Sequence, residues 1–494
     1  MAVSFNNIPA GIRVPLFYAE VDNSQANTAT STLKTLLVGQ KLNSGKASAN
    51  KPVLVSSSSL GKDLFGRGSM LAIMNSSFRA NDTVAEVWAI PVADPTDGAK
   101  ASATVTLSGE VTAAGSIYLY VGATLIQVNV AEEQKLSDIA TAIANAITAK
   151  PDLPCTASAE NAVVTLSAKN AGTIGNEIPL ALNLQGAAAG EETAEGLGIE
   201  LAAFAGGTGT PDFSDAIAAM GEEQYDVIVV PYADTTTLTA FATEMNDTSG
   251  RWSPTRQLYG HVWSIARGSA ATLATAGLLR NDQHCTVVGI ESSTPSLNVE
   301  VLGAYAARAE KALNNDPARP LQTLELIGVS AAPAGSRFNL SERQTLLTSG
   351  VATEYVSGGY MRIERAITTY QKNALGDIDN SYLDANTLYT LAYVLRRLKT
   401  VVTSKYARYK LANDGTHFGS GQAVVTPSLI RAELIAEYQK LEEEAIVENA
   451  DAFKSNLIVE RDVNDPNRVN VLFPPDLVNQ LRIFAVLAQF RLQY

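Results

Sequence analysis

The sequence is poor in the residues that build disulfide and metal sites. Two cysteines in 494 residues exclude a disulfide scaffold. Three histidines leave little room for a His-based metal centre, and no metal or cofactor is expected. No arginine occurs between Arg79 and Arg251. Acidic residues outnumber basic ones 50 to 37, a net charge of −13. A surface of that sign excludes broad nucleic-acid binding. No apolar run reaches the ~20 residues of a membrane helix, so no direct membrane insertion is expected. The start, Met1 to Phe5, lacks the basic and apolar regions of a signal peptide. Folding in a reducing cytoplasm is therefore expected.

What is present supports large cores. With 46% hydrophobic and 18% charged residues, global disorder is excluded, and the length suits about three domains. Residues 1–25 read as an extended N-terminal arm. Pro9 and Pro15 oppose helix, while Ile12, Val14, Leu16 and Tyr18 recur at period two. A strand that contains proline suits a sheet edge.

Residues 26–92 begin an α/β core. Thr35–Val38 reads as a buried strand, Leu60–Phe78 as helix interrupted at Gly66 and Gly68, and Thr83–Val92 as strand. Residues 93–205 then change character. Ala, Thr, Ser, Gly and Val dominate, and over 91–205 there are 13 acidic residues against 4 lysines, a net of −9. Ala103–Leu107, Ile117–Val121, Leu125–Val130 and Val163–Ser167 alternate as half-buried strands, with one helix over 135–149. This predicts an inserted β-sandwich-like domain that leaves through turns at 186–198 and 205–210. Residues 206–370 resume alternating strands and helices, which predicts a doubly wound, mainly parallel sheet. Residues 371–477 form an α+β C-terminal domain. It contains a helical stripe of Leu388, Leu391, Leu395, Leu398 and Val402, and a second helix opened by Thr426-Pro427. It ends in a hairpin around Asn464–Asn467. Residues 478–494 read as a C-terminal strand arm with Phe484, Val486, Phe490 and Leu492 on one face. A long apolar strand at a chain end invites pairing with another chain.

Catalytic patterns fail one by one. Gly206-Gly-Thr-Gly209 lacks the spacing of a dinucleotide loop, and no GxxxxGK[ST] occurs. Asp377–Ser381 starts like a Ca²⁺ loop, but Tyr382 and Leu388 stand where Gly and Glu are required. A turn followed by an Asp384 cap accounts for it better. His284-Cys285 reads as core packing. Gly68-Ser69-Met70 faintly suggests a subtilisin-type serine, yet no histidine precedes Ser69 and no GxSxG elbow exists. No catalytic residue is assigned.

Five stretches are more specific: Ile367-Thr-Thr-Tyr-Gln371, Asp379-Asn-Ser-Tyr-Leu383, Thr403-Ser-Lys-Tyr406, Asn456-Leu-Ile-Val-Glu-Arg461 and Asp465-Pro-Asn-Arg-Val-Asn-Val-Leu-Phe-Pro-Pro475. With Leu477–Leu481 and Gln489–Arg491, they make the whole chain resemble the sheath subunit of contractile bacteriophage tails, in the Mu-like group. The resemblance implies a subtilisin-like core fold without protease activity. It implies hexameric rings stacked helically around a tail tube protein, with baseplate and tail terminator proteins as further partners. Contraction would drive the tube through the host envelope, and the protein would end in the virion.

Three expectations follow for the surface. Residues 8–21 and 482–493 would add strands to the 456–473 hairpin of neighbouring subunits. The acidic insertion would face outward. Arg396, Arg397 and Lys399 head the densest basic stretch, which continues with Lys405, Arg408 and Lys410. Since the resemblance turns a C-terminal-domain helix toward the tube, these three are candidate tube contacts; a solvated or lattice-pairing basic face fits them equally well. Alternative functions stay open: the sheath of a phage-tail-like bacteriocin or related injection system, a hydrolase on the α/β core, or a surface adhesin.

Overall fold

A computed structural model describes residues 32–419 and 421–492. They fall into two compact units. The larger runs from Leu33 to Ala392 and includes the chain again from Asn479, while the smaller runs from Tyr393 to Val478.

The larger unit is built on a six-stranded sheet. Its order is Cys285–Glu291, His261–Gly268, Val227–Val229, Lys34–Gln40, Glu86–Val92 and Val53–Leu54. All neighbours are parallel except Val53–Leu54, which runs antiparallel to Glu86–Val92. Parallel strands covered on both faces need continuous apolar sequence. All 7 residues of Cys285–Glu291 are buried accordingly.

Helices return the chain between strands. The expected helix over 60–78 is in fact two, Ser58–Phe65 and Met70–Asn81, capped by Ser57 and Ser69. Gly66 and Gly68 lie between them at φ of +87° and +79°, a region that side chains disfavour. Met70–Asn81 packs closely on Asn298–Asn315. A Cβ on Gly303 would sit 2.6 Å from the Met74 carbonyl oxygen, so only glycine permits that approach.

Residues 102–205 contribute two antiparallel sheets. One runs Leu197–Ala205, Ser102–Gly109, Val163–Ala168 and Cys155–Glu160; the other runs Thr124–Val130, Gly115–Val121 and Leu180–Leu182. Helix Leu136–Thr148 packs Ile139, Ile143 and Ile147 into their core. The turn expected over 186–198 is corrected at its end, because strand Leu197–Ala205 begins inside it. That strand is rich in alanine, and pairing with Ser102–Gly109 overrides its weak β propensity. The insertion is bolted down at its neck. Asp94 accepts from Gln40 (2.6 Å), Asn170 (2.8 Å) and the Ala171 N–H (2.9 Å), and Asn170 accepts from the Met70 N–H at 3.0 Å. Lys62 and Arg67 both reach Asp152, at 3.0 and 2.9 Å.

The smaller unit holds the end of helix Ala385–Tyr406, helix Pro427–Glu443 and helix Ala450–Asn456. Thr426 caps the second, and Ile430, Leu434, Tyr438 and Leu441 are its buried stripe. Strands Ile458–Arg461 and Val469–Leu472 pair antiparallel. One expectation needs correction. Asp384 does not spend its carboxylate on a helix cap but binds Arg365 (2.9 and 2.8 Å) and Arg482 (3.1 Å). Residues 483–492 pair with no other strand among the described residues, as a segment whose partner edge lies on another copy would.

Candidate assembly surfaces

The C-terminal segment inverts the usual distribution of side chains. Ile483, Phe484, Val486, Leu487, Phe490 and Leu492 are each at least 70% exposed. Contiguous exposed apolar surface of this kind marks a binding site or an aggregation hazard. Phe484, Val486, Phe490 and Leu492, the expected arm residues, thus all face solvent in the single chain. Ile12, Val14, Leu16 and Tyr18, their N-terminal counterparts, lie outside the described residues.

The hairpin of the smaller unit is a stiff two-stranded sheet with no third strand among the described residues. Its far end is fixed by Asp462, which accepts from the Asn464 and Asp465 N–H groups and from Asn470, all within 3.0 Å. Its near end is fixed by aromatic packing. Tyr438 stacks on Phe453 at 3.7 Å between centroids, and Phe473 meets Phe453 edge-on at 4.8 Å. Ile458, Val471 and Leu472 remain exposed on it. Preordered strands with free backbone groups and exposed apolar side chains are what strand addition requires.

The basic helix separates its three candidates. Arg397 donates to Glu437 at 2.6 Å and to Glu444 at 2.8 Å, and Lys440 closes on Glu437 at 3.2 Å. Burial would raise the Glu437 carboxyl, but Arg397 and Lys440 together hold it below the usual range. Arg397 is thus an internal strut. Arg396 is half-buried and Lys399 is exposed. Further along, Lys405 pairs with Glu433 at 2.5 Å, whereas Arg408 and Lys410 are exposed. Sequence spacing could not distinguish these fates, because the acidic partners lie about 30 to 50 residues away.

Ser69, His261 and His284 have structural partners. Ser69 is buried and accepts from the Ala72 N–H at 3.1 Å as a helix cap. His261 bonds Thr286 at 2.8 Å inside the sheet. His284 pairs with Asp247 at 2.8 Å and stacks on Trp252. Among the described residues no cluster of three or more His, Cys, Asp or Glu is placed to hold a metal. No described helix is long and apolar enough to cross a membrane.

Comparison with known proteins agrees over the whole chain. Residues 206–369 match the family described as phage tail sheath protein central domain, and 377–491 match the phage tail sheath C-terminal domain. The chain is 39% identical over 493 residues to the Mu-like prophage FluMu tail sheath protein of Haemophilus influenzae, covering 99% of this chain and 100% of that one. Among solved structures, the sheath complex of an extracellular contractile injection system, called PVC and in its contracted state, aligns with a TM-score of 0.50 at 10% identity over 98% of each chain. A sheath tail protein from Desulfitobacterium hafniense aligns at 12% identity over 95% of this chain and 100% of its own, with a TM-score of 0.47.

Proposed function

The chain belongs to the Mu-like contractile tail sheath family, and from that premise we propose how it assembles and works. It polymerises as hexameric rings stacked helically around a tail tube. Shortening of that polymer drives the tube through the host envelope. Assembly takes place in the host cytoplasm, on a baseplate and under a tail terminator. The α/β core is the subtilisin-like domain of the family, residues 93–205 are the outward-facing insertion, and 371–477 form the C-terminal domain. Repulsion between the acidic insertions of neighbouring copies keeps the exterior soluble.

The observation that carries this reading is the pairing of an exposed apolar C-terminal segment with a stiff hairpin of open edges. Neither pairs with a further strand among the described residues. Residues 8–21 and 482–493 add strands to the hairpin of neighbouring copies, which uses backbone hydrogen bonds and alternate side-chain pockets. On the basic helix, the tube contact rests on Lys399, the exposed member of the three candidates. Arg397 serves it indirectly by holding the helix in place. A bacteriocin or injection-system sheath would be built the same way, and the neighbouring genes distinguish the two. The test is electron microscopy of the purified full-length protein. Hollow, striated cylinders support the proposal; monomers at every concentration and salt condition would refute it.

A further inference from the structure

Where the C-terminal segment leaves the larger unit, burial is reversed. Leu481 and Ile483 are 70% and 80% exposed. Between them the Arg482 side chain is only 10% exposed. A chain end that merely drifted in water would expose the charge and not bury it.

The buried guanidinium is held from several sides. It donates to Asp384 Oδ1 at 3.1 Å, Asn386 Oδ1 at 3.2 Å, Gln322 Oε1 at 3.3 Å and Gln480 Oε1 at 2.5 Å. The receiving groups are themselves fixed. Asn386 donates to the Pro317 and Arg319 carbonyls, both at 2.9 Å, and Asp384 is bound bidentately by Arg365. Gln480 adds a bond to the Ala318 carbonyl at 2.8 Å. Charge-assisted, multidentate bonding of this kind gives geometric specificity as well as energy.

We propose that Arg482 is the anchor of the C-terminal arm. It fixes the point at which the arm leaves the core, so that only the apolar segment beyond it is free to reach a second copy of this chain. This inference rests on the proposal that the arm joins neighbouring subunits. Residues 483–492 span at most about 36 Å when extended. Releasing Arg482 adds Leu481 and Arg482 to that free segment, while Gln480 keeps its own bond to the Ala318 carbonyl. A longer, looser tether lowers the effective concentration of the arm at its receiving edge and adds ordering entropy on capture. Loss of Arg482 leaves Asp384 paired with Arg365, so the fold has no new unpaired carboxylate.

Trypsin provides the first test, on the wild-type monomer. Cleavage after Arg482 requires its side chain to leave the core, whereas Arg491 is exposed. Mass spectrometry should show cleavage after Arg491 at least about tenfold faster than after Arg482. Equal rates would overturn the anchor. The second test compares full-length Arg482→Ala with a chain ending at Arg482. The Arg482→Ala variant should remain folded but need about tenfold or more protein to form cylinders. The shortened chain should form none. If the shortened chain polymerises normally, the arm reading fails. If it does not polymerise, yet Arg482→Ala assembles at the wild-type concentration, the anchor alone fails.

Discussion

Strand Cys285–Glu291 and the segment from Ile483 to Leu492 are both rich in large apolar side chains, but the fold treats them oppositely. Every residue of the first is buried. Every residue of the second is exposed. The difference lies in available partners, since the strand has a neighbouring strand on one side, a bridge to Ala352 on the other and helix Ala270–Gly277 against it, and the tail pairs with no strand among the described residues. Fully burying a large apolar side chain contributes about 1.5–3 kcal/mol. Six such side chains on the tail therefore represent at most about 9–18 kcal/mol of unrealised stabilisation. In this protein the apolar pattern of the strand specifies a fold, and under the proposed function the apolar pattern of the tail specifies an assembly.

The comparison breaks if the two segments respond alike to a buried charge. Val288→Asp in the strand should prevent folding, a loss of more than about 4 kcal/mol, because nothing at that site can pair the carboxylate. Phe484→Asp with Phe490→Asp in the tail should leave the melting temperature unchanged and abolish cylinders. Thermal melts and electron microscopy of both proteins check this. A destabilised tail variant, or one that still polymerises, contradicts the account.

The same contrast recurs among charges on one helix. Arg397 holds the nearly buried Glu437, and Arg397→Ala leaves that carboxylate without its main partner. The expected loss is about 2–3 kcal/mol, read by denaturant unfolding. Lys399→Glu, two residues away and exposed, should change stability by less than about 0.5 kcal/mol. Its effect should appear in co-assembly with tube protein, as a smaller share of tube-filled sheaths. If Arg397→Ala is as mild as Lys399→Glu, the strut is not what it is taken to be.

Two buried acids sharpen the comparison through pH. Burial, with the Glu291 carboxylate beside it, pushes Glu354 up to about 9; Glu364 and Arg343 also face it. Burial, with Asp82 and Asp226 nearby and Lys311 opposing them, pushes Glu310 up to about 8. In the unfolded chain both titrate near about 4.3. The folded protein therefore binds more protons in the window between, and these groups make stability fall as pH rises toward 9. Glu354→Gln keeps the shape of the protonated acid and removes the titration. Its melting temperature should decline less between pH 6 and pH 9 than that of wild type. An identical slope would show that Glu354 is already ionised in the folded protein. The tail has no such group, so its deletion should leave the slope unchanged.

Periodicity and end signals made much of the fold legible. Thr426 caps the helix that follows it, as its position before Pro427 predicts. Ser357-Gly-Gly359 turns the hairpin between Thr353–Ser357 and Tyr360–Arg365. What escaped was set by distant partners. Cys155–Glu160 and Leu197–Ala205 are small-residue strands that exist because Val163–Ala168 and Ser102–Gly109 offer them edges. The strut at Arg397 depends on Glu437, and the anchor at Arg482 depends on Asp384, 98 residues away. A lone arginine inside an apolar run was the visible sign of that anchor, but no local rule says whether such a residue faces water or core.

Hydrogen exchange of residues 483–492, measured in the monomer and in the assembled cylinder, tests the central claim most directly. These backbone N–H groups have no ladder partner among the described residues, and in the monomer they should exchange at nearly the unfolded rate. In the cylinder, strand addition gives alternate groups a hydrogen bond, and their exchange should slow by about a hundredfold or more. The 458–472 hairpin should gain protection in parallel. A cylinder in which residues 483–492 still exchange as fast as in the monomer would contradict the account.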